Sequence, residues 1–172
     1  MERAGHAGRL TAELLAFYGD EGGRTTSGYT LGQVLGWPDG EWEDRHDFIQ
    51  WVFPTDEPSM YNSNAPVLDA ATVARFRADP LMRQRLRRGF DRWLSFCGVA
   101  RTADGLAFDN PNPGVWGRAN HNWLRITRVL RSLNLLGLAD EARAFFALLA
   151  TVRQQIDPTT WRYWEAAARP GP

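Results

Sequence analysis

Apolar residues recur along this chain at intervals of three and four, the spacing of one helix face, and no stretch alternates convincingly as a strand would. Leu10, Leu14, Leu15, Phe17 and Tyr18 predict a helix over residues 9–19, stopped by Gly19 and the Gly22-Gly23 pair. Thr30, with Gln33 three positions on, is a capping-box pattern and predicts a short helix over 30–36. Asp39 is expected to cap a helix over 40–53 with Trp42, Ile49, Val52 and Phe53 on its core face, and Pro54 ends it. On that helix Trp51 projects with Asp44 and Asp47, away from the core.

Residues 54–66 are expected to be irregular but ordered, and Asp69 opens a short helix to residue 77. Asp79-Pro80 supplies both a cap and a first-position proline for a helix to residue 98. Its buried stripe is Met82, Leu86, Phe90, Trp93, Leu94 and Cys97, opposite an exposed row of Arg85, Arg88 and Arg92. Residues 99–119, rich in Gly, Asn and Pro, predict a long connection without regular structure. The helix over 122–136, stopped by Gly137, has Trp123, Ile126, Leu130 and Leu133 on one side. Leu124 and Leu135 lie on another with Arg128 and Arg131, the pattern of a central helix touched from two directions. Asp140 begins an amphipathic helix to residue 156, and Asp157-Pro158 opens a last one carrying Trp161, Tyr163 and Trp164. The fold expected is all-α: one globular domain of six to eight helices around the 122–136 helix, with a core over about 10–168 and frayed ends that include His6.

Composition narrows the function classes. With 44% hydrophobic and 23% charged residues, the chain lies far from the composition of disorder. Twenty basic residues against 20 acidic ones leave no global field to draw in nucleic acid, so no nucleic-acid partner is expected. All the basic residues are Arg, which reads as codon bias in a GC-rich genome. The single Cys97 excludes an intrachain disulfide, and no apolar run reaches membrane-spanning length, so a cytoplasmic location is expected. HExxH, a Gly-rich phosphate loop, GxSxG and zinc-type Cys/His spacing are all missing, so no metal, cofactor or catalytic set is expected.

Two stretches concentrate polar chemistry. In His46-Asp47-Phe48-Ile49-Gln50-Trp51-Val52-Phe53-Pro54, His46 and Gln50 stand one helical turn apart beside the core stripe. They either satisfy backbone groups of the following Pro-rich segment, or line a pocket with Trp51 as aromatic contact and Asp47 as acidic rim. In Asn120-His121-Asn122-Trp123-Leu124-Arg125, three polar side chains crowd a helix N-terminus, as caps or as a site for a carboxylate or phosphate. Asn62-Ser63-Asn64 adds amides suited to Asx turns or to ligand contacts.

These stretches resemble the conserved region of the opioid growth factor receptor family. Residues 46–54 match one family hallmark with Phe48 for Tyr and Val52 for Leu, and residues 122–133 match a second with Val129 for Ile. Asn64-Ala65-Pro66 and the segment ending Trp93-Leu94-Ser95-Phe96-Cys97-Gly98 are similar to the family as well. For animal members the resemblance implies a receptor for an enkephalin-type opioid peptide, associated with nuclear and perinuclear membranes and restraining proliferation. Peripheral membrane association comes from the resemblance alone. The sequence reaches Pro172 without the C-terminal repeats or the basic import cluster of those members, and its compact, Lys-free character resembles a bacterial member. Fold is therefore expected to carry over more securely than ligand or location.

The function expected is a peptide- or protein-binding module using His46, Asp47, Gln50, Trp51, Asn64, His121, Asn122 and Arg125, none of them catalytic. One alternative is an enzyme in which His46 or His121 works with an acidic partner. A second is nucleic-acid binding through the helix bearing Arg83, Arg85, Arg88 and Arg92.

Overall fold

Local capping signals set most helix starts. In a computed structural model describing residues 2–19 and 22–170, with side chains from residue 8 onward, there are ten α-helices, a 3-10 turn and one two-stranded hairpin among the described residues. The side chain of His6 and residues 171–172, where fraying was expected, lie outside the described residues. The chain divides into two compact units, Met1–Gly89 and Phe90–Pro172.

The first unit holds α1 (Glu2–Tyr18), α2 (Leu31–Leu35), α3 (Asp39–Asp44), α4 (Ile49–Val52), α5 (Ala70–Ala78) and the start of α6 (Pro80–Cys97). Helix α1 begins at Glu2, seven residues earlier than its apolar spacing predicts. Its last turn carries no basic residue of its own. Arg85 supplies one by donating to the carbonyls of Tyr18, at 2.7 Å, and Gly19. A guanidinium there satisfies two end carbonyls and opposes the negative end of the helix dipole. Arg85 therefore leaves the solvated row expected of it, while Arg88 remains exposed. The capping box of α2 forms as predicted: Gln33 N–H donates to Thr30 Oγ1 at 3.2 Å and Thr30 N–H to Gln33 Oε1 at 2.9 Å. Asp69 caps α5 through Thr72 N–H at 2.7 Å, and Asp79 caps α6 through Leu81 N–H at 2.9 Å.

The helix expected over 40–53 is two short helices, α3 and α4, with Pro38 rather than Asp39 at the N-cap of the first. Arg45 turns extended (φ −86°, ψ 140°) and breaks the run. Its guanidinium then lies 5.1 Å from the Tyr29 ring centroid and 4.9 Å from that of Trp37. A continuous helix would place Trp51 about 180° around from Trp42. The break removes that conflict, and Trp42, Phe48, Ile49, Trp51, Val52 and Phe53 are all buried. Edge-to-face rings run from Tyr29 through Trp37 and Phe48 to Trp42, and from Trp51 through Phe17 and Tyr18 to Phe76. Burial pushes the Tyr18 phenol far above its ordinary pKa, and its hydroxyl donates to the Val52 carbonyl.

The second unit holds the rest of α6, then β1 (Val99–Thr102), β2 (Gly105–Phe108), α7 (Pro113–Trp116), α8 (His121–Leu135), α9 (Ala139–Thr151) and α10 (Pro158–Ala168). The connection expected to lack regular structure contains β1 and β2, paired antiparallel from Val99↔Phe108 to Thr102↔Gly105, and then α7. Each strand has only four residues, too few for alternation to stand out. Arg101 fastens the hairpin, donating to Asp91 at 2.7 Å and Glu141 at 2.9 Å.

Helix α8 is the hub of this unit, packed by α7, α9 and α10. Its covering differs from the two apolar sides expected. Asn122, Trp123, Arg125, Ile126, Val129, Leu130, Ser132, Leu133 and Asn134 are buried, spanning one arc of about 200°. Leu124 lies outside that arc at 57% exposure, and Leu135 is only half-buried. Gly137, with φ 89°, ends the helix as predicted, and Leu138 N–H returns to the Leu133 carbonyl at 2.8 Å. Helix α9 stops at Thr151 rather than 156, because the chain tightens into a 3-10 turn over Arg153–Gln155 with the Arg153 guanidinium 4.9 Å from the Trp161 centroid. In α10, Trp164 is buried and donates to the Trp123 carbonyl at 3.0 Å, while Tyr163 is exposed.

Two of the caps carry a pH signature. The backbone and hydroxyl of Thr72 hold Asp69 below the usual carboxylate range, and the hydroxyl and backbone of Thr160 do the same for Asp157. A depressed folded-state value means a contribution that is complete above the unfolded pKa of about 4 and disappears as pH falls through the lower folded values. Asn retains the capping oxygen without the charge, so the D69N/D157N double variant should lose less stability than wild type in thermal melts from pH 6 down to pH 2. Identical acid limbs for the two proteins would contradict this assignment.

Candidate functional site

The first polar stretch builds a connected cluster in the first unit. The break after α3 leaves His46 exposed and Asp47 half-buried just before α4, while Gln50 is buried in its first turn. Gln50 Nε2 donates to the His46 carbonyl at 3.2 Å, and Gln50 Oε1 accepts from Asn62 Nδ2 at 3.5 Å. Ser27 donates its hydroxyl to the Asp47 carboxylate, and Thr26 Oγ1 donates to the Asn64 carbonyl at 3.3 Å. Asp47, Gln50, Asn64 and the backbone of His46 are therefore gathered with Thr26, Ser27 and Asn62. Trp51 is not among them: expected on the polar side with Asp44 and Asp47, it is buried with its ring edge-to-face against Phe17 at 5.8 Å.

Residues 55–67 form a closed surface loop. Thr55 and Val67 make an isolated parallel bridge at its neck, and Leu68 N–H donates to the Thr55 carbonyl at 2.9 Å. Within the loop, Ser59 Oγ accepts from Tyr61 N–H at 3.3 Å and Asn62 N–H at 3.2 Å, and Asn62 Oδ1 accepts from Asn64 N–H at 3.0 Å. These local bonds replace the ladder that the segment lacks, as in compact Ω-loops. Between them project Met60, 90% exposed, and Tyr61, 80% exposed. A single exposed apolar side chain needs no explanation; here two large neighbours are exposed together on a tied loop.

The second stretch has a different character. Asn120, in extended conformation, caps α8 by accepting from Asn122 N–H at 2.8 Å, so part of the polar N-terminus is already occupied. Asn122 is fully buried; its Nδ2 donates to the Gly114 carbonyl at 3.4 Å and its Oδ1 accepts from the buried Arg125 at 3.1 Å. Trp123 Nε1 donates to the Val115 carbonyl at 2.9 Å. Of the three polar side chains expected to receive an anion, Asn120 and Asn122 instead clasp the α7 segment to the start of α8, and His121 is half-buried beside them. This stretch belongs to the second unit and the first stretch to the first. No group of three His, Cys, Asp or Glu able to hold a metal ion occurs among the described residues.

Sequence reasoning missed Met60, Tyr61 and Ser27. The available signal was composition: a Met-Tyr pair flanked by Pro58-Ser59 and Asn62-Ser63-Asn64, an apolar island among turn formers.

Comparison with known proteins places this geometry in context. The sequence model described as "Opioid growth factor receptor (OGFr) conserved region" matches residues 13–157. The chain is similar to the opioid growth factor receptor of Mus musculus, at 33% identity over 140 residues covering 72% of this chain and 21% of the relative. The Homo sapiens protein of that name gives 33% over 140 residues, with 72% and 20% covered. Opioid growth factor receptor-like protein 1 of Mus musculus gives 29% over 133 residues, with 72% and 28% covered. The chain thus spans between about a fifth and somewhat more than a quarter of the length of these relatives. No solved structure matches it. No helix, among the described residues, is long and apolar enough to cross a membrane.

Proposed function

Because this chain belongs to the opioid growth factor receptor conserved-region family, we propose that it is a peptide- or protein-binding module whose contact surface is the tied loop over residues 55–67 and the polar cluster beside it. The observation that carries this reading is the exposure of Met60 and Tyr61 on a loop fixed at its neck and by Asn62 on Gln50. A rigid aromatic ring and an adaptable thioether offer apolar area to a partner at modest entropic cost. His46, Asp47 and Asn64 supply polar contacts at the rim, with Asp47 favouring a cationic group. Gln50 and Asn62 hold the loop, and Trp51 supports it from the core. Asn122 and Arg125 serve the framework of the second unit.

The relatives are named opioid growth factor receptors, which makes an enkephalin-type opioid peptide the first probe. Calorimetric titration of the full chain should give saturable binding. The M60A/Y61A double variant should bind at least about tenfold more weakly while melting as wild type does, since truncating a central aromatic contact often costs more than 1 kcal/mol. Undiminished binding by that variant would remove the loop from the site, and no binding by wild type would overturn the peptide reading.

A further inference from the structure

The Asp47 carboxylate is half-buried, and among the described residues its one polar partner is the hydroxyl of Ser27. Removing a carboxylate from part of its water is unfavourable unless a cation replaces that water. The two arginines nearest along these segments are committed elsewhere. Arg45 donates to Glu41 and, at 3.2 Å, to the Tyr29 hydroxyl, and Arg24 donates to the Gly28 carbonyl at 2.8 Å. We infer that Ser27 is a latch on Asp47: it covers the carboxylate in the ligand-free protein and yields it to an ammonium or guanidinium group of the partner. This rests on the contact surface proposed above and names the group that enters it.

The latch sits on a turn that holds its own shape. Arg24 and Thr30 make an antiparallel bridge, Thr25 N–H donates to the Tyr29 carbonyl at 2.8 Å, and Gly28 N–H donates to the Thr25 carbonyl at 2.8 Å. Thr25 is buried and the Tyr29 ring lies edge-to-face against Trp37 at 4.9 Å, which anchors the base of the turn. The tip is held more lightly. Thr26 and Ser27 are exposed and reach the cluster through one hydroxyl bond each, to the Asn64 carbonyl and to Asp47. With Ser27 exposed and Asp47 half-buried, the hydroxyl stands on the solvent side of the carboxylate. Releasing it needs only rotation of the Ser27 side chain to another staggered position. The loop over residues 55–67 keeps its own ties at Thr55–Val67 and Asn62–Gln50 when that happens. A neutral hydroxyl leaves the negative charge uncompensated, whereas an ammonium group makes a charge-assisted bond roughly twice as strong, so the exchange favours a cation.

The test uses the isotope-labelled full chain and titrates phenethylammonium by NMR, with phenylacetate as the same stem of opposite charge. Saturable shifts at Asp47 and Ser27 are expected for phenethylammonium alone. S27A, which removes the latch, should bind it about two- to tenfold more tightly, the worth of one exposed hydrogen bond. It should melt as wild type does, and S27T, which restores the hydroxyl, should return to wild-type affinity. D47N should bind phenethylammonium at least about tenfold more weakly, as loss of a charge-assisted hydrogen bond does, and should gain nothing from added S27A. These readouts are separate from the loop surface. Loss of the S27A gain with peptide binding intact removes the latch, and failure of the peptide to bind with the S27A gain intact removes only the loop reading. Equal or weaker phenethylammonium binding by S27A, phenylacetate binding as tight as phenethylammonium, or no saturable shift at Asp47 would overturn the proposal.

Discussion

Trp51→Ala should lower the free energy of unfolding by about 3–5 kcal/mol, the cost of deleting a large aromatic side chain from a packed core. Trp51 is 1% exposed, and its ring lies edge-to-face against Phe17, itself joined to Tyr18 and Phe76. Partial collapse cannot fill the space, because Phe48, Ile49, Val52 and Phe53 around it in sequence are themselves buried. For a domain of this length the melting temperature should drop by roughly 10 °C. Trp51→Phe should recover a large part of the loss. A Trp51→Ala variant with wild-type stability that had lost only peptide binding would return Trp51 to the surface role its sequence position suggested.

Gly98→Ala carries the second large effect. Gly98 ends α6 with φ +70°, and a Cβ there would lie 1.8 Å from the Asn110 carbonyl oxygen. The obstacle is backbone rather than the end of a flexible side chain. It is also held in place, since the Gly98 carbonyl accepts from Asp109 N–H at 3.1 Å and from Asn110 N–H at 3.3 Å. Left-handed geometry costs a non-glycine residue about 1–2 kcal/mol, and forced overpacking adds about 1–3 kcal/mol. Denaturant unfolding should therefore show a loss of about 2–5 kcal/mol. A loss below 1 kcal/mol would mean that the hairpin end is free to shift.

Five helix starts were legible because their determinants lie within three residues of one another, whereas α1 starts earlier than predicted and Asp39 does not cap α3. Thr30 with Gln33, Asp69 with Thr72, Asp79-Pro80, Asn120 and Asp157-Pro158 all act where the sequence places them. The break between α3 and α4 was not legible, because it is driven by burial of both Trp42 and Trp51, which no local propensity encodes. Periodicity identified two apolar sides of α8 but could not say which would be covered. Arg125, Ser132 and Asn134 went inside while Leu124 stayed out.

The candidate site was legible as chemistry and obscure as geometry. Asp47, Gln50 and Asn64 stand out as polar groups beside an apolar run, and the structure joins them through Ser27, Asn62 and Thr26. Met60 and Tyr61 belong to no periodic pattern, since a closed loop is defined by its neck at Thr55 and Val67.

The claim that recognition belongs to the loop over residues 55–67 is tested most directly by an NMR footprint of an enkephalin-type peptide on the isotope-labelled full chain. The account predicts saturable shifts centred on His46, Asp47 and residues 59–64, with the Trp164 indole and the Asn134 amide unmoved. Shifts centred away from that loop, or none that saturate, would contradict it.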